Sequence, residues 1–153
     1  MLEKAFNEVY DKFKLNFYRN IFTGFEKREA TLTAIETFCT EVIYALDRPT
    51  INEVGKFLRI SQPNITYKVN NLVKKGYVKK VQSEEDKREY FLELTDKFYK
   101  YNNIRNEYMD IVLRRAKNRF TKEEVDQLER MLYIISDELM PEVTEGVEKI
   151  KTT

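Results

Sequence analysis

Apolar residues recur three or four positions apart along most of the chain, and that spacing predicts helices. Residues 2–22 place Phe6, Val9, Tyr10, Phe13, Phe17 and Ile21 on one face and Glu3, Lys4, Glu8, Lys12 and Arg19 on the other. Thr23-Gly24 closes this helix, and a polar stretch follows through Thr31. Thr33-Ala34-Ile35-Glu36 has capping-box form: the threonine accepts from an orphan amide and the glutamate reaches back to the cap. The helix it opens carries Ile35, Phe38, Cys39, Val42, Ile43 and Leu46 and ends at Asp47-Arg48-Pro49. Thr50-Ile51-Asn52-Glu53 is a second capping box, starting a short helix with Ile51, Val54, Phe57 and Leu58 facing inward. Arg59-Ile60 makes a tight connection. Ser61 is the next N-cap, with Pro63 tolerated in the first turn, and that helix runs to about Lys75, where Gly76 fits a C-terminal cap.

The period then changes. Tyr77 to Gln82 and Arg88 to Leu94 are short β-branched or aromatic runs around a polar tip, Ser83 to Lys87, and predict a hairpin. Thr95-Asp96 opens a long helix with Phe98, Tyr101, Ile104, Tyr108, Ile111 and Val112, reaching about Lys117. Thr121 to Glu124 forms a third capping box, before a helix with Val125, Leu128, Met131, Leu132, Ile135 and Leu139. Pro141 breaks or kinks it, and Val143, Val147 and Ile150 predict a helical tail. The fold class is therefore mainly α with a small β-hairpin wing. Two short helices joined tightly and followed by a hairpin make a winged helix-turn-helix. The partition expected is residues 1–33 as an N-terminal helix, 34–95 as the winged helix-turn-helix and 96–153 as C-terminal helices.

Composition excludes several chemistries. The 153 residues contain no histidine, one cysteine and no tryptophan. Usual zinc sites and histidine-based nucleophile systems are thereby ruled out, and a single cysteine forms no intrachain disulfide. No cofactor loop or metal-ligand cluster is legible, so no cofactor, no metal and no enzymatic activity are expected. No apolar run approaches the roughly 18–20 residues of a membrane span, and Glu3, Asn7, Glu8 and Asp11 interrupt any signal-peptide pattern. A cytoplasmic protein without membrane partners is the expectation. Cys39, on the face with Ile35 and Val42, reads as a small core residue rather than a redox centre.

The net charge of +1 hides a segregation. Residues 48–90 hold ten basic and five acidic side chains, net +5, while residues 1–47 and 91–153 each carry −2. The positive potential falls on the segment read as helix-turn-helix and wing, as duplex binding requires. At 100° per residue, Ile65, Val69, Leu72 and Val73 share the inner side of the recognition helix. Ser61, Gln62, Pro63, Asn64, Thr66, Tyr67, Lys68, Asn71 and Lys74 are the candidate DNA contacts on its outer side and shoulders. Amides suit the adenine edge and threonine suits the thymine methyl group. At the wing, Lys87 and Arg88 are the candidates, with Asp86 orienting Arg88 for a narrow minor groove.

The ordered set of these segments resembles the MarR family of transcriptional regulators over nearly the whole chain. Thr50 to Leu58 is similar to that family's first helix-turn-helix element, Arg59 to Val69 to its turn and recognition helix, and Asn71 to Val78 to its leucine, lysine, glycine exit into the wing. Asp86-Lys87-Arg88 matches the Asp-x-Arg wing signature, and Leu92-Glu93-Leu94-Thr95 the Leu-x-Leu-Thr exit. The glycine common shortly after that step is absent, and Phe98 stands near it.

The resemblance implies a sequence-specific DNA-binding regulator, in this family more often a repressor, acting as a homodimer on a pseudo-palindromic operator. It also implies dimerisation by the first and last two helices, for which Phe6, Phe13, Phe17, Ile21, Leu128, Leu132 and Ile135 are the candidates. Release by a small aromatic or lipid-like effector is a further implication. The alternative is a winged helix used for protein–protein contact without DNA binding.

Overall fold

The computed structural model describes residues 1–21 and 32–151. Among them the order is α1 (Leu2–Ile21), α2 (Ala34–Leu46), α3 (Ile51–Leu58), α4 (Gln62–Lys74), β1 (Val78–Gln82), β2 (Tyr90–Leu94), α5 (Asp96–Arg119), α6 (Lys122–Glu138) and α7 (Pro141–Lys151). This is the mainly α architecture with a hairpin wing that the periodicity predicts. The expected closure at Thr23-Gly24 and the polar stretch to Thr31 lie outside the described residues, as does the side chain of Ile21.

The three capping boxes form as read. Thr33, Thr50 and Thr121 each accept from the amide three residues on, and Glu36, Glu53 and Glu124 each return a carboxylate oxygen to the cap amide. Each cap satisfies two amides that helix geometry leaves without partners. Ser61 differs: it stands at the N-cap of α4, but its hydroxyl makes no cap hydrogen bond.

Two compact units are present. One combines α1 with residues 100–133, and within it the Phe13 ring meets Tyr108 edge-on at 5.8 Å and Phe17 meets Tyr101 at 5.7 Å. These two phenylalanines are thus half-buried against their own chain, whereas Phe6 stays exposed.

The other unit takes α2 through residue 99, with residues 134 onward. Its core joins Cys39, Ile43 and Leu46 of α2, Val54 of α3, Ile65, Val69 and Leu72 of α4, and Tyr77, Val78 and Leu92 around the hairpin. Each fully buried aliphatic side chain here contributes about 1.5–3 kcal/mol. Gly55 lets α3 and α4 approach closely: a Cβ there would lie 3.0 Å from Ile65 Cγ2 and 3.3 Å from the Ile60 carbonyl.

β1 and β2 pair antiparallel, with Val78 opposite Leu94 and Gln82 opposite Tyr90. A third segment joins them. The Leu92 amide donates to the Pro49 carbonyl at 2.8 Å, and Thr50 bridges to Phe91. The wing is therefore anchored to the turn that starts α3. The sequence reading groups α7 with the C-terminal dimerisation helices, whereas the structure lays it on α3 and α2, with Gly146 beside the Phe57 ring.

The α4 exit explains one motif. Tyr77 N–H donates to Leu72 O and Gly76 N–H to Val73 O, closing the helix with Gly76 at φ +81°. The Thr95 hydroxyl then donates to Gly76 O at 2.5 Å and its amide to Tyr77 O, pinning the start of α5 to the wing base. Because a side chain at that φ is strained, Gly76→Ala is expected to cost about 1 kcal/mol of stability. Denaturant melts check this, and a gain in stability would remove the argument.

Candidate nucleic-acid interface

α4 presents the face expected of it. Ile65, Val69 and Leu72 are fully buried, Val73 is half-buried, and Ser61, Gln62, Pro63, Asn64, Tyr67 and Lys74 are exposed. Thr66, Lys68 and Asn71 sit half-exposed on the shoulders. Tyr67, at 63% exposure, is an apolar ring held in water, with the Lys68 ammonium 5.7 Å from its centroid. The structure thus places all nine candidate contacts named from the sequence on α4 or at its N-cap.

The wing tip is ordered by its own polar groups. The buried Ser83 hydroxyl accepts from the amides of Glu85 and Asp86, and the Gln82 amide group donates to Lys87 O. Asp86 accepts from Arg88 three times: from the backbone amide at 2.9 Å, from Nε at 3.2 Å and from Nη2 at 3.2 Å. The Arg88 guanidinium, with its backbone amide, holds the Asp86 carboxyl below its ordinary range. The pair aims a rigid guanidinium fork at solvent.

The charge picture becomes sharper. Five of the ten cations in residues 48–90 are already engaged. Glu93 takes Arg48 on one oxygen and Lys79 on the other, both at 2.9 Å, and Lys79 first and Arg48 second hold its carboxyl low. Lys75 pairs with Glu36, Lys80 donates to the Asn70 side chain, and Arg88 is with Asp86. Lys56, Arg59, Lys68, Lys74 and Lys87 make no ion pair among the described residues.

Sequence reasoning missed the Glu36–Lys75 and Arg48–Glu93–Lys79 links and the close approach at Gly55. The first had a partial signal, since Glu36 was legible as a capping residue. Its ion-pair partner lies 39 positions away, and nothing in a single sequence reports such a pairing.

Residues 32–97 match the family of winged helix DNA-binding domains. This segment has the winged-helix fold. The MarR resemblance is borne out at the level of the fold: the matched residues include those that carry it most sharply. An uncharacterized HTH-type transcriptional regulator, YkoM of Bacillus subtilis (strain 168), is 26% identical over 144 residues, covering 84% of this chain and 89% of its own.

MepR, in a mutant form from a multidrug-resistant S. aureus clinical isolate, is 18% identical with a TM-score of 0.66, over 92% of this chain and 98% of that one. FabT of Streptococcus pneumoniae, solved in complex with DNA, is 21% identical with a TM-score of 0.59, over 91% and 97% of the two chains. At these identities the solved structures establish a shared fold.

Around the winged-helix domain, Cys39 is fully buried, and burial pushes its thiol up to about 11, which makes it a poor thiolate source. No helix among the described residues is long and apolar enough to cross a membrane.

Proposed function

We propose that this protein is a DNA-binding transcriptional regulator, without catalytic activity, that reads a pseudo-palindromic site as a homodimer and acts as a repressor released by a small organic ligand. The observation that carries the reading is the pairing of an outward amide- and lysine-bearing face on α4 with an Asp86-fixed arginine at the wing tip, in one domain of net positive charge. In this reading Gln62, Asn64, Thr66, Tyr67 and Lys68 meet base edges, Ser61, Pro63, Asn71 and Lys74 line the groove walls, and Lys87 and Arg88 reach the minor groove.

Dimerisation falls to α1, α5 and α6. Leu128, Leu132 and Ile135 are exposed in the single chain, with Phe6, and an apolar face of that size favours a protein partner. Covering it with a second copy makes the contact symmetric and spaces two recognition helices for an inverted repeat.

Selection from random duplexes, run beside light scattering, tests the reading. The expected result is an enriched inverted repeat bound by a particle of twice the 18.4 kDa chain mass. Affinity should fall linearly on a log–log scale with salt, because phosphate neutralisation releases counterions. No enrichment, with a protein partner captured through α4, would instead support the winged helix as a protein-contact module. A monomeric particle that still enriches single half-sites would remove the dimer while leaving DNA binding in place.

A further inference from the structure

The outward face of α4 is not uniformly polar. Tyr67 is 63% exposed at its centre, and the exposed Pro63 stands one turn before it, so the two make a narrow apolar strip along the face. The Lys68 ammonium lies 5.7 Å from the ring centroid, a cation–π contact that favours this placement of the ring.

The amides around the strip divide into two groups. Asn70 is engaged: its Oδ1 accepts from Lys80 Nζ of β1 at 2.7 Å, which ties that side chain to the wing. Gln62, Asn64 and Asn71 make no side-chain hydrogen bond among the described residues. Asn64 and Asn71 lie three and four positions from Tyr67, so each is its neighbour on the helix surface, with Cβ atoms about 5–6 Å apart.

These side chains are a partial set of base readers. An asparagine or glutamine amide pairs with the adenine N6/N7 edge, arginine or lysine with guanine, and aspartate or glutamate with the cytosine amino group. α4 contains no arginine, aspartate or glutamate. Its lysines are Lys68, drawn to the Tyr67 ring, and Lys74, in the last turn, away from the end that a recognition helix turns to the bases. The face of a tyrosine ring donates no hydrogen bond to a base edge. The apolar group that the major groove offers is the thymine C5 methyl, and in an A·T pair it shares the groove with the adenine atoms that an amide takes.

We propose that Tyr67 reads a thymine methyl group in each half-site through apolar contact of its ring, with the Asn64 amide free for adenine on the turn before it. This rests on the DNA-binding function proposed above and adds the base that the central side chain of α4 selects. The phenolic hydroxyl has no part in the contact, which separates this role from that of a tyrosine donating to a phosphate.

Deoxyuridine differs from thymidine only in lacking that methyl group, so it is the probe. The duplex enriched by selection from random sequences is compared, by anisotropy with the full-length protein, with copies that carry deoxyuridine at one symmetric pair of thymidines at a time. At one pair the replacement is expected to lower affinity about tenfold, the scale of losing one buried methyl contact in each of two half-sites. Tyr67→Phe should lose as much on the same replacement. Tyr67→Ala should bind the thymidine duplex about tenfold more weakly than wild type and be insensitive to deoxyuridine at that pair, with thermal melts confirming that both variants fold.

Wild type that is insensitive to deoxyuridine at every pair, or Tyr67→Ala that retains the wild-type sensitivity, overturns the inference while duplex binding stands. So does Tyr67→Phe that binds both duplexes equally weakly, which would assign the hydroxyl to a phosphate. If no duplex is enriched, the proposed function falls and this inference with it.

Discussion

Glu36→Gln is expected to lower folding stability by about 3 kcal/mol, the scale of breaking a buried ion pair by removing one partner. Glu36 is 2% exposed on α2, and its Oε2 accepts both from Lys75 Nζ at 2.7 Å and from the Thr33 amide at 2.8 Å. Glutamine can keep the amide contact but not the charge, so the Lys75 ammonium at the end of α4 loses this ion pair. Lys75 still reaches water, which sets the estimate at the lower end of the range for fully buried pairs.

Burial pushes the Glu36 carboxyl up, yet the Lys75 ammonium and the Thr33 amide together hold it below its ordinary value of 4.5. A carboxyl depressed in the folded state contributes stability that is complete above that ordinary value and is lost as pH falls through the folded one. The gap between wild type and Glu36→Gln is therefore expected to be full near neutral pH and to shrink in acid below about pH 4.5. Urea melts of both proteins across that range measure it. A gap that stays constant into strong acid would mean that packing, not charge, makes the difference.

Arg88→Ala is expected to weaken duplex affinity about tenfold to a hundredfold while leaving the melting temperature unchanged. The side chain is 92% exposed, so folding has little use for it. Its energetic role lies in a guanidinium already held by Asp86, which reduces the rotamer freedom lost on entering a groove. Arg88→Lys keeps the charge and loses the fork, so it should fall between wild type and alanine. Anisotropy titrations at several salt concentrations separate the effects: alanine should reduce the salt slope by about one, and lysine should not. Equal affinity for wild type and alanine at every salt would remove the wing from the interface.

The helix-turn-helix was legible because its signals are local. A capping box needs a threonine and a glutamate three apart, and the Thr33, Thr50 and Thr121 boxes all formed. The inner face of α4 follows from helical period alone, and Gly76 marks the one position where the chain must take a positive φ to leave that helix. Asp86 and Arg88 are two residues apart at a hairpin tip, so their pairing was also within reach of the sequence.

The tail was less legible. Val143, Val147 and Ile150 fix a helix but not what it packs on, and α7 lies on α3 within the winged-helix unit. Phe13 and Phe17 show the same gap. Their spacing demands apolar cover, and the structure supplies part of it from Tyr108 and Tyr101 of the same chain.

The elements, their caps, the outward face of α4 and the concentration of positive charge on one segment are legible along the chain, because they depend on residues close together in sequence. Which charges pair inside the domain, and where clefts open, follows from how distant segments pack. Glu36 meets Lys75, Glu93 collects Arg48 and Lys79, and the Asp47–Arg48 turn is held between two clefts only once distant segments pack together. Electrostatic pairing and cavity shape are properties of distances in space, and a periodic pattern along the chain carries no information about them.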